Sequence, residues 1–155
     1  MKYSPIDNSL FIKNRKKFID KMEDNSIAFF NSNDNYPVSA DTTLPFEQHR
    51  DLFYLSGINQ EETVLLLFKK SNEEFKEIIF LTEPNDLLTH WEGARLDRKK
   101  TLSISGIQNI CWLNELNNII GALMKEVQIL YLNKNEHYRA KIETQTREER
   151  FNNWI

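Results

Sequence analysis

The order of apolar segments predicts an α/β domain built on a mixed β-sheet, and three observations lead there. An amphipathic stretch opens the chain. Two dense apolar runs, 64–68 and 78–81, then flank a charged turn, as two neighbouring strands would. A helix–strand–helix–strand alternation follows, which places helices against a sheet with parallel as well as antiparallel neighbours.

Over residues 9–22, Phe11, Phe18 and Met22 form a stripe with Ile12 and Ile19 beside it, at spacings of three, four and seven. That is one helix face. Lys13, Lys16, Lys17 and Lys21 fill the other faces; with no aromatic stacking platform beside them, they read as a solvated face rather than a nucleic-acid patch. Residues 26–31, rich in bulky side chains (Ile27, Phe29, Phe30), read as a strand. The run 31–37 is turn-forming, and 36–45 lacks periodicity, so a long exposed loop is expected. Residues 51–56 read as a strand centred on Phe53 and Tyr54, with Phe53 in the core and Gly57 closing it.

The strongest strand is 62–70, whose apolar run implies burial on both faces. A hairpin-like turn over 69–76 and a strand over 77–82 make an antiparallel pair. Pro84-Asn85-Asp86 opens a short helix carrying Leu87, Leu88 and Trp91 and ending at Gly93. A second short helix over 97–102 stops near Gly106. Residues 107–113 form a strand, and 114–126 a helix with Leu116, Ile119, Ile120, Leu123 and Met124 inward. The last strand is 127–132, followed by a polar loop over 133–142 and a helix over 144–155.

Composition bounds the function. At 155 residues, 40% hydrophobic and 28% charged, the chain is long enough for one core. No apolar run approaches the roughly 20 residues a helix needs to cross a bilayer, and no apolar signal segment follows Met1. The net charge of -3 gives no bulk attraction to nucleic acid or to a membrane surface. A single cysteine, Cys111, makes no internal disulfide and suits a reducing cytoplasm. Lying between Ile110 and Trp112, it reads as a buried, inert thiol.

The sequence holds no phosphate-binding Gly-Lys-Ser/Thr, no Gly-x-Gly, no Gly-x-Ser-x-Gly and no His-Glu-x-x-His. His49, His90 and His137 are scattered, so no metal site is expected in this chain. The segments 64–68 and 78–81 carry no carboxylate, which speaks against a two-metal nuclease.

Two blocks are more specific. One is Pro45-Phe46-Glu47-Gln48-His49-Arg50-Asp51-Leu52-Phe53-Tyr54-Leu55-Ser56-Gly57, running into Ile58-Asn59-Gln60-Glu61-Glu62-Thr63-Val64-Leu65-Leu66-Leu67; the other is His90-Trp91-Glu92-Gly93-Ala94-Arg95-Leu96. In order and separation, over roughly residues 8–133, they resemble the N-terminal domain of the aminopeptidase P family, the Xaa-Pro aminopeptidases related to prolidase and creatinase. Ser56 stands where that family more often has Thr, and Asp97 where a Gly often follows Arg-Leu. The loop 36–44 is longer than usual.

The resemblance implies a three-layer α/β domain with a mixed sheet, of ribonuclease H-like topology. It implies that residues 1–155 are one domain and that a catalytic domain of pita-bread fold lies C-terminal to residue 155, absent from this chain. There, two divalent metals, commonly manganese, would activate the water that attacks the bond before proline. No catalytic residue and no metal ligand is expected in the present chain. Its role by resemblance is to shape active-site access and to build a homo-oligomer, dimer or tetramer, in the cytoplasm, with its own catalytic domain and a peptide bearing proline at the second position as partners. Trp91 is the counterpart of a family tryptophan that reaches a neighbouring subunit's active site; its spacing from Leu87 and Leu88 equally suits core packing. Arg95 is a candidate for a substrate carboxylate or a partner's acidic group, or for a surface ion pair. Tyr54 is a candidate access or interface residue, and Gly57 and Gly93 are structural. Two rivals remain: a stand-alone binding or assembly module of this fold, and the N-terminal half of a prolidase- or creatinase-like hydrolase.

Overall fold

The computed structural model describes residues 5–40, 42–85 and 95–133. Five strands form the main sheet: β1 (Ser26–Asn31), β4 (Val64–Lys69), β5 (Phe75–Leu81), β6 (Asn109–Trp112) and β7 (Ile129–Leu132), in the spatial order β6-β5-β4-β1-β7. The central pairs are antiparallel, with Phe29 opposite Leu66 and Leu65 opposite Ile79. The outer pairs, β5 with β6 and β1 with β7, are parallel. This is the expected mixed sheet.

Strand alternation splits the core into two layers. Ala28, Phe30, Leu65, Leu67, Ile79 and Leu81 point to one face, where they meet Ile19 of α1 (Ser9–Ile19), Leu52 and Leu55 of α2 (Arg50–Ser56), and Ile104 of α3 (Arg98–Ser105). Ile27, Leu66, Phe68, Ile78 and Phe80 point to the other, where they meet Leu123 and the half-buried Leu116, Ile119 and Ile120 of α4 (Leu116–Leu123). Helices on both faces and a sheet between them make three layers. Apolar residues at consecutive positions of β4 and β5 are the signature of strands covered on both sides.

Several expectations are corrected. Residues 50–56 are a helix, not a strand. Leu52, Leu55 and Ser56 are its buried residues, at helical spacing. The His49 imidazole accepts from the Asp51 N–H to cap its start, and Gly57 caps its end. Phe53 is therefore on the solvent side, 36% exposed, not in the core. Residues 36–45 are not all loop, since β2 (Pro37–Ser39) and β3 (Thr42–Thr43) form a small exposed antiparallel ladder. Lys69, expected both in the 62–70 strand and in the 69–76 turn, belongs to β4, which begins at Val64 rather than at Glu62. It is buried, and its Nζ donates to the Met22 carbonyl at 2.7 Å. The segment expected as one helix over 114–126 begins as a 3₁₀ turn (Leu113–Glu115), and Met124 is exposed. β5 starts two residues early and so includes Phe75 and Lys76. Cys111 is only half-buried. The short helix expected after Pro84, the loop expected beyond Asn133 and the helix expected over 144–155 lie outside the described residues.

Candidate functional site

α1 is held between the ends of two short helices of matching sequence. α2 ends Ser56-Gly57-Ile58 and α3 ends Ser105-Gly106-Ile107. In each, the serine hydroxyl donates to the carbonyl four residues back (Leu52, Thr101) at 2.7 Å and accepts the isoleucine N–H at 3.1 Å. Each glycine adopts a left-handed conformation, φ 71° at Gly57 and 72° at Gly106, and its N–H closes the last turn. Both glycines face α1. A Cβ at Gly57 would enter the Phe11 ring, and one at Gly106 would come within 2.6 Å of Ile12 Cδ1.

Arg15 joins the two ends. It lies on the α1 stripe between Phe11 and Phe18, and its side chain is fully buried. Nη1 donates to the carbonyls of Leu55 (2.8 Å) and Ser105 (2.9 Å), the negative ends of both helix dipoles. Nε lies 3.0 Å from Glu77 Oε2, an ion-pair contact rather than an aligned hydrogen bond. Burial lowers the Arg15 pKa from its ordinary value and the Glu77 carboxylate opposes that shift; an arginine stays charged at neutral pH nonetheless. The Glu77 carboxylate is thus used inside the domain.

At the far end of β4 a second polar cluster gathers around the turn Gln60–Thr63. Arg95 Nη1 donates to Glu62 Oε2 at 2.8 Å, and Nη2 lies 3.5 Å from Glu61 Oε1. The Thr82 hydroxyl donates to the same Glu62 oxygen at 2.7 Å, and the Leu96 N–H donates to Gln60 Oε1 at 2.7 Å. These contacts, from Arg95 first and Thr82 second, hold the Glu62 carboxyl below its usual range. Arg95 and Gly57 line one shallow cleft of about 630 Å³, together with Phe46 and Gln60.

Tyr54 stands elsewhere, 54% exposed on the outer side of α2. It lines an apolar cleft of about 480 Å³ with Ile6, Leu10, Phe11, Phe46 and Phe53. It also borders a larger one of about 690 Å³ with Lys17, Lys21 and Leu132. So Arg95 and Gly57 share a cleft and Tyr54 does not join them. Trp91 and Gly93 lie outside the described residues. Among the described residues no group of three or more His, Cys, Asp or Glu side chains is placed to hold a metal ion, and no helix is long and apolar enough to cross a membrane. Arg15 and Thr82 lie outside the two motif blocks, and Gln60 and Glu62 lie within the first with no role expected of them. A charge in the middle of the α1 stripe and the doubled Ser-Gly-Ile were the available signals for Arg15; the other three meet only through the fold.

The comparisons with known proteins agree with this architecture. Residues 11–131 match the family model described as the aminopeptidase P N-terminal domain. The Xaa-Pro aminopeptidase of Escherichia coli (strain K12) is 25% identical over 140 residues, covering 90% of this chain and 32% of that protein. That of Haemophilus influenzae is 29% identical over 121 residues, covering 78% and 28%. A solved chain from Bacillus anthracis, assigned as an aminopeptidase P, superimposes with a TM-score of 0.83 at 22% identity, over 97% of this chain and 36% of that one, which speaks for the fold. The chain spans about a third of the length of these curated relatives. With the sheet, its helix layers and the match over residues 11–131 in agreement, this chain belongs to the aminopeptidase P N-terminal domain family.

Proposed function

We propose that this chain is the non-catalytic N-terminal domain of a Xaa-Pro aminopeptidase, which removes an N-terminal residue preceding proline. The observation that carries the reading is the family match over residues 11–131, shared with relatives about three times as long. In this reading two divalent metals, manganese by family habit, are held by a catalytic domain following residue 155. They would supply an activated water there. Among the described residues no group of three or more His, Cys, Asp or Glu side chains is placed to hold them.

The chain's own task is to shape access to that site and to assemble copies of the enzyme in the cytoplasm. The exposed apolar cleft on α1 and α2, with Leu10 at 47% and Tyr54 at 54% exposure, supports an assembly role. Trp91 is the side chain proposed to narrow access, and Arg95 is proposed to hold the end of the segment that carries it.

The reading frame beyond Ile155 is the first test. It is expected to encode a domain with Asp, Asp, His, Glu and Glu in that order; a stop codon there, together with a purified product that self-associates, would favour an assembly module instead. The purified chain is expected to leave Xaa-Pro peptides uncleaved with manganese present, and metal-dependent cleavage would refute the non-catalytic role. In the intact enzyme, Trp91→Ala is expected to lower turnover more than melting temperature. A pure loss of stability would return Trp91 to the core.

A further inference from the structure

Glu47 and Arg50 carry opposite charges three positions apart in the sequence. Both are exposed, and both line the apolar cleft of about 480 Å³ on α1 and α2. They are the charged residues of its described lining. Among the described residues, neither side chain has an ion-pair or hydrogen-bond partner, whereas the exposed pairs Lys16–Asp20 and Lys70–Glu74 are closed within the chain. The same cleft gathers Ile6, Leu10, Phe53 and Tyr54, whose exposure runs from 36% at Phe53 to 54% at Tyr54. Large apolar side chains grouped in this way mark an interaction surface rather than scattered exposed residues.

The backbone under this face is fastened. Asn33 Nδ2 donates to the Glu47 carbonyl and Asn14 Nδ2 to the Tyr54 carbonyl, both at 2.9 Å. Gln48 Nε2 donates to the carbonyls of Ile58 and Gln60, and its Oε1 accepts the His49 N–H. The Phe53 ring stands edge-on to the Phe11 ring, with centroids 6.1 Å apart. The face is therefore set before anything meets it, and little ordering entropy is lost on association.

Charge selects the occupant. A nucleic acid or an anionic membrane would be met by an excess of cations, and the cleft holds one charge of each sign. A second copy turned about a two-fold axis presents the same two charges in reverse order, so Glu47 of each copy meets Arg50 of the other and apolar side chains meet apolar side chains. We propose that this face is a two-fold interface between copies of this chain, with Ile6, Leu10, Phe53 and Tyr54 at its centre and two reciprocal Glu47–Arg50 pairs at its rim. The interface deepens the assembly role proposed above and does not depend on the peptidase reading.

The test is sedimentation equilibrium of the full chain over a concentration series. The wild type is expected to show a concentration-dependent dimer. Glu47→Arg or Arg50→Glu sets like charges against each other at both ends of the interface and should weaken association about ten-fold or more. The double variant Glu47→Arg/Arg50→Glu restores opposite charges across the axis and should recover the wild-type affinity to within about three-fold. Leu10→Asp puts a charge in the apolar centre and should leave a monomer. All three positions are exposed, so each variant should melt within about 2 °C of the wild type. A double variant as weak as the singles overturns the reciprocal pairing. A dimer indifferent to all of these changes overturns this interface and leaves assembly through another surface standing. A wild-type chain that stays monomeric at every concentration also overturns it; if the enzyme with its following domain then still assembles, the assembly reading stands without this face.

Discussion

Replacing Arg15 tests the central arrangement most directly. Arg15→Met keeps most of the side-chain volume and removes the guanidinium. It leaves the Leu55 and Ser105 carbonyls without their donor and the Glu77 carboxylate, 19% exposed, without its cation. An orphaned buried acceptor costs about 1–3 kcal/mol, and breaking a buried ion pair from one side costs about 3–5 kcal/mol. These overlap, so the expected loss is about 4 kcal/mol. For a domain of this size that lowers the melting temperature by roughly 8–16 °C. Glu77→Gln should cost less, about 1–2 kcal/mol, because water reaches that carboxylate. Arg15→Lys should fall between, since an ammonium cannot reproduce the fork that spans two carbonyls and a carboxylate. The assay is urea unfolding followed by circular dichroism, run as a double-mutant cycle. A coupling of about 1–3 kcal/mol is expected between Arg15 and Glu77. An Arg15→Met variant within about 1 kcal/mol of wild type would refute the reasoning.

Gly57→Ala and Gly106→Ala should each lose about 2–3 kcal/mol, since both need φ near 70° and both turn a new methyl into α1; losses under about 0.5 kcal/mol by the same unfolding assay would refute this. Acid should loosen the junction at Glu62. Its folded-state pKa is depressed below the ordinary 4.5, so the carboxylate's contribution is complete above that value and disappears as pH falls through the lowered one. Exchange of residues 60–63 and 95–97, corrected for intrinsic rate, should rise in that acid window in the wild type and show no such step in Glu62→Gln. Cys111 should alkylate slowly, because burial first and Glu115 second raise its thiol above the ordinary 9.0. Iodoacetamide at neutral pH should react more slowly than with a free thiol, at a rate that rises with pH; a rate equal to a free thiol would refute this.

The sheet was legible because β4 and β5 announce themselves. The unbroken apolar runs 64–68 and 78–81 have few uses besides strands covered on both faces, and the charged turn between them sets antiparallel pairing. α2 was misread for an equally definite reason. Phe53 and Tyr54 are strong strand formers, and side by side they outweigh the weaker periodic signal of Leu52, Leu55 and Ser56. Local chemistry decided against them: a cap at His49, a left-handed glycine at 57, and a core-facing pair three residues apart. The aromatic pair then faces outward, which exposes Tyr54 and Phe53 together on the α2 surface. The error over the element and the error over Phe53 are therefore one error.

The candidate site was legible only as residue names, and the reason is sequence distance. Arg95 meets Glu62 across 33 residues and Thr82 meets it across 20; Arg15 reaches Leu55 across 40 and Ser105 across 90. No periodicity or motif spacing encodes such meetings. Yet they share a logic. Arg15, Lys69 and Arg95 are each drawn largely out of water, and each spends its charge on a segment far along the chain: two helix ends, the Met22 carbonyl after α1, and the Gln60–Thr63 turn. A cation kept for chemistry would be left able to meet a substrate. Cations committed to internal carbonyls and carboxylates instead fix the relative placement of elements. Among the described residues, that use of charge locates sensitive points of the fold at Arg15 and Glu62.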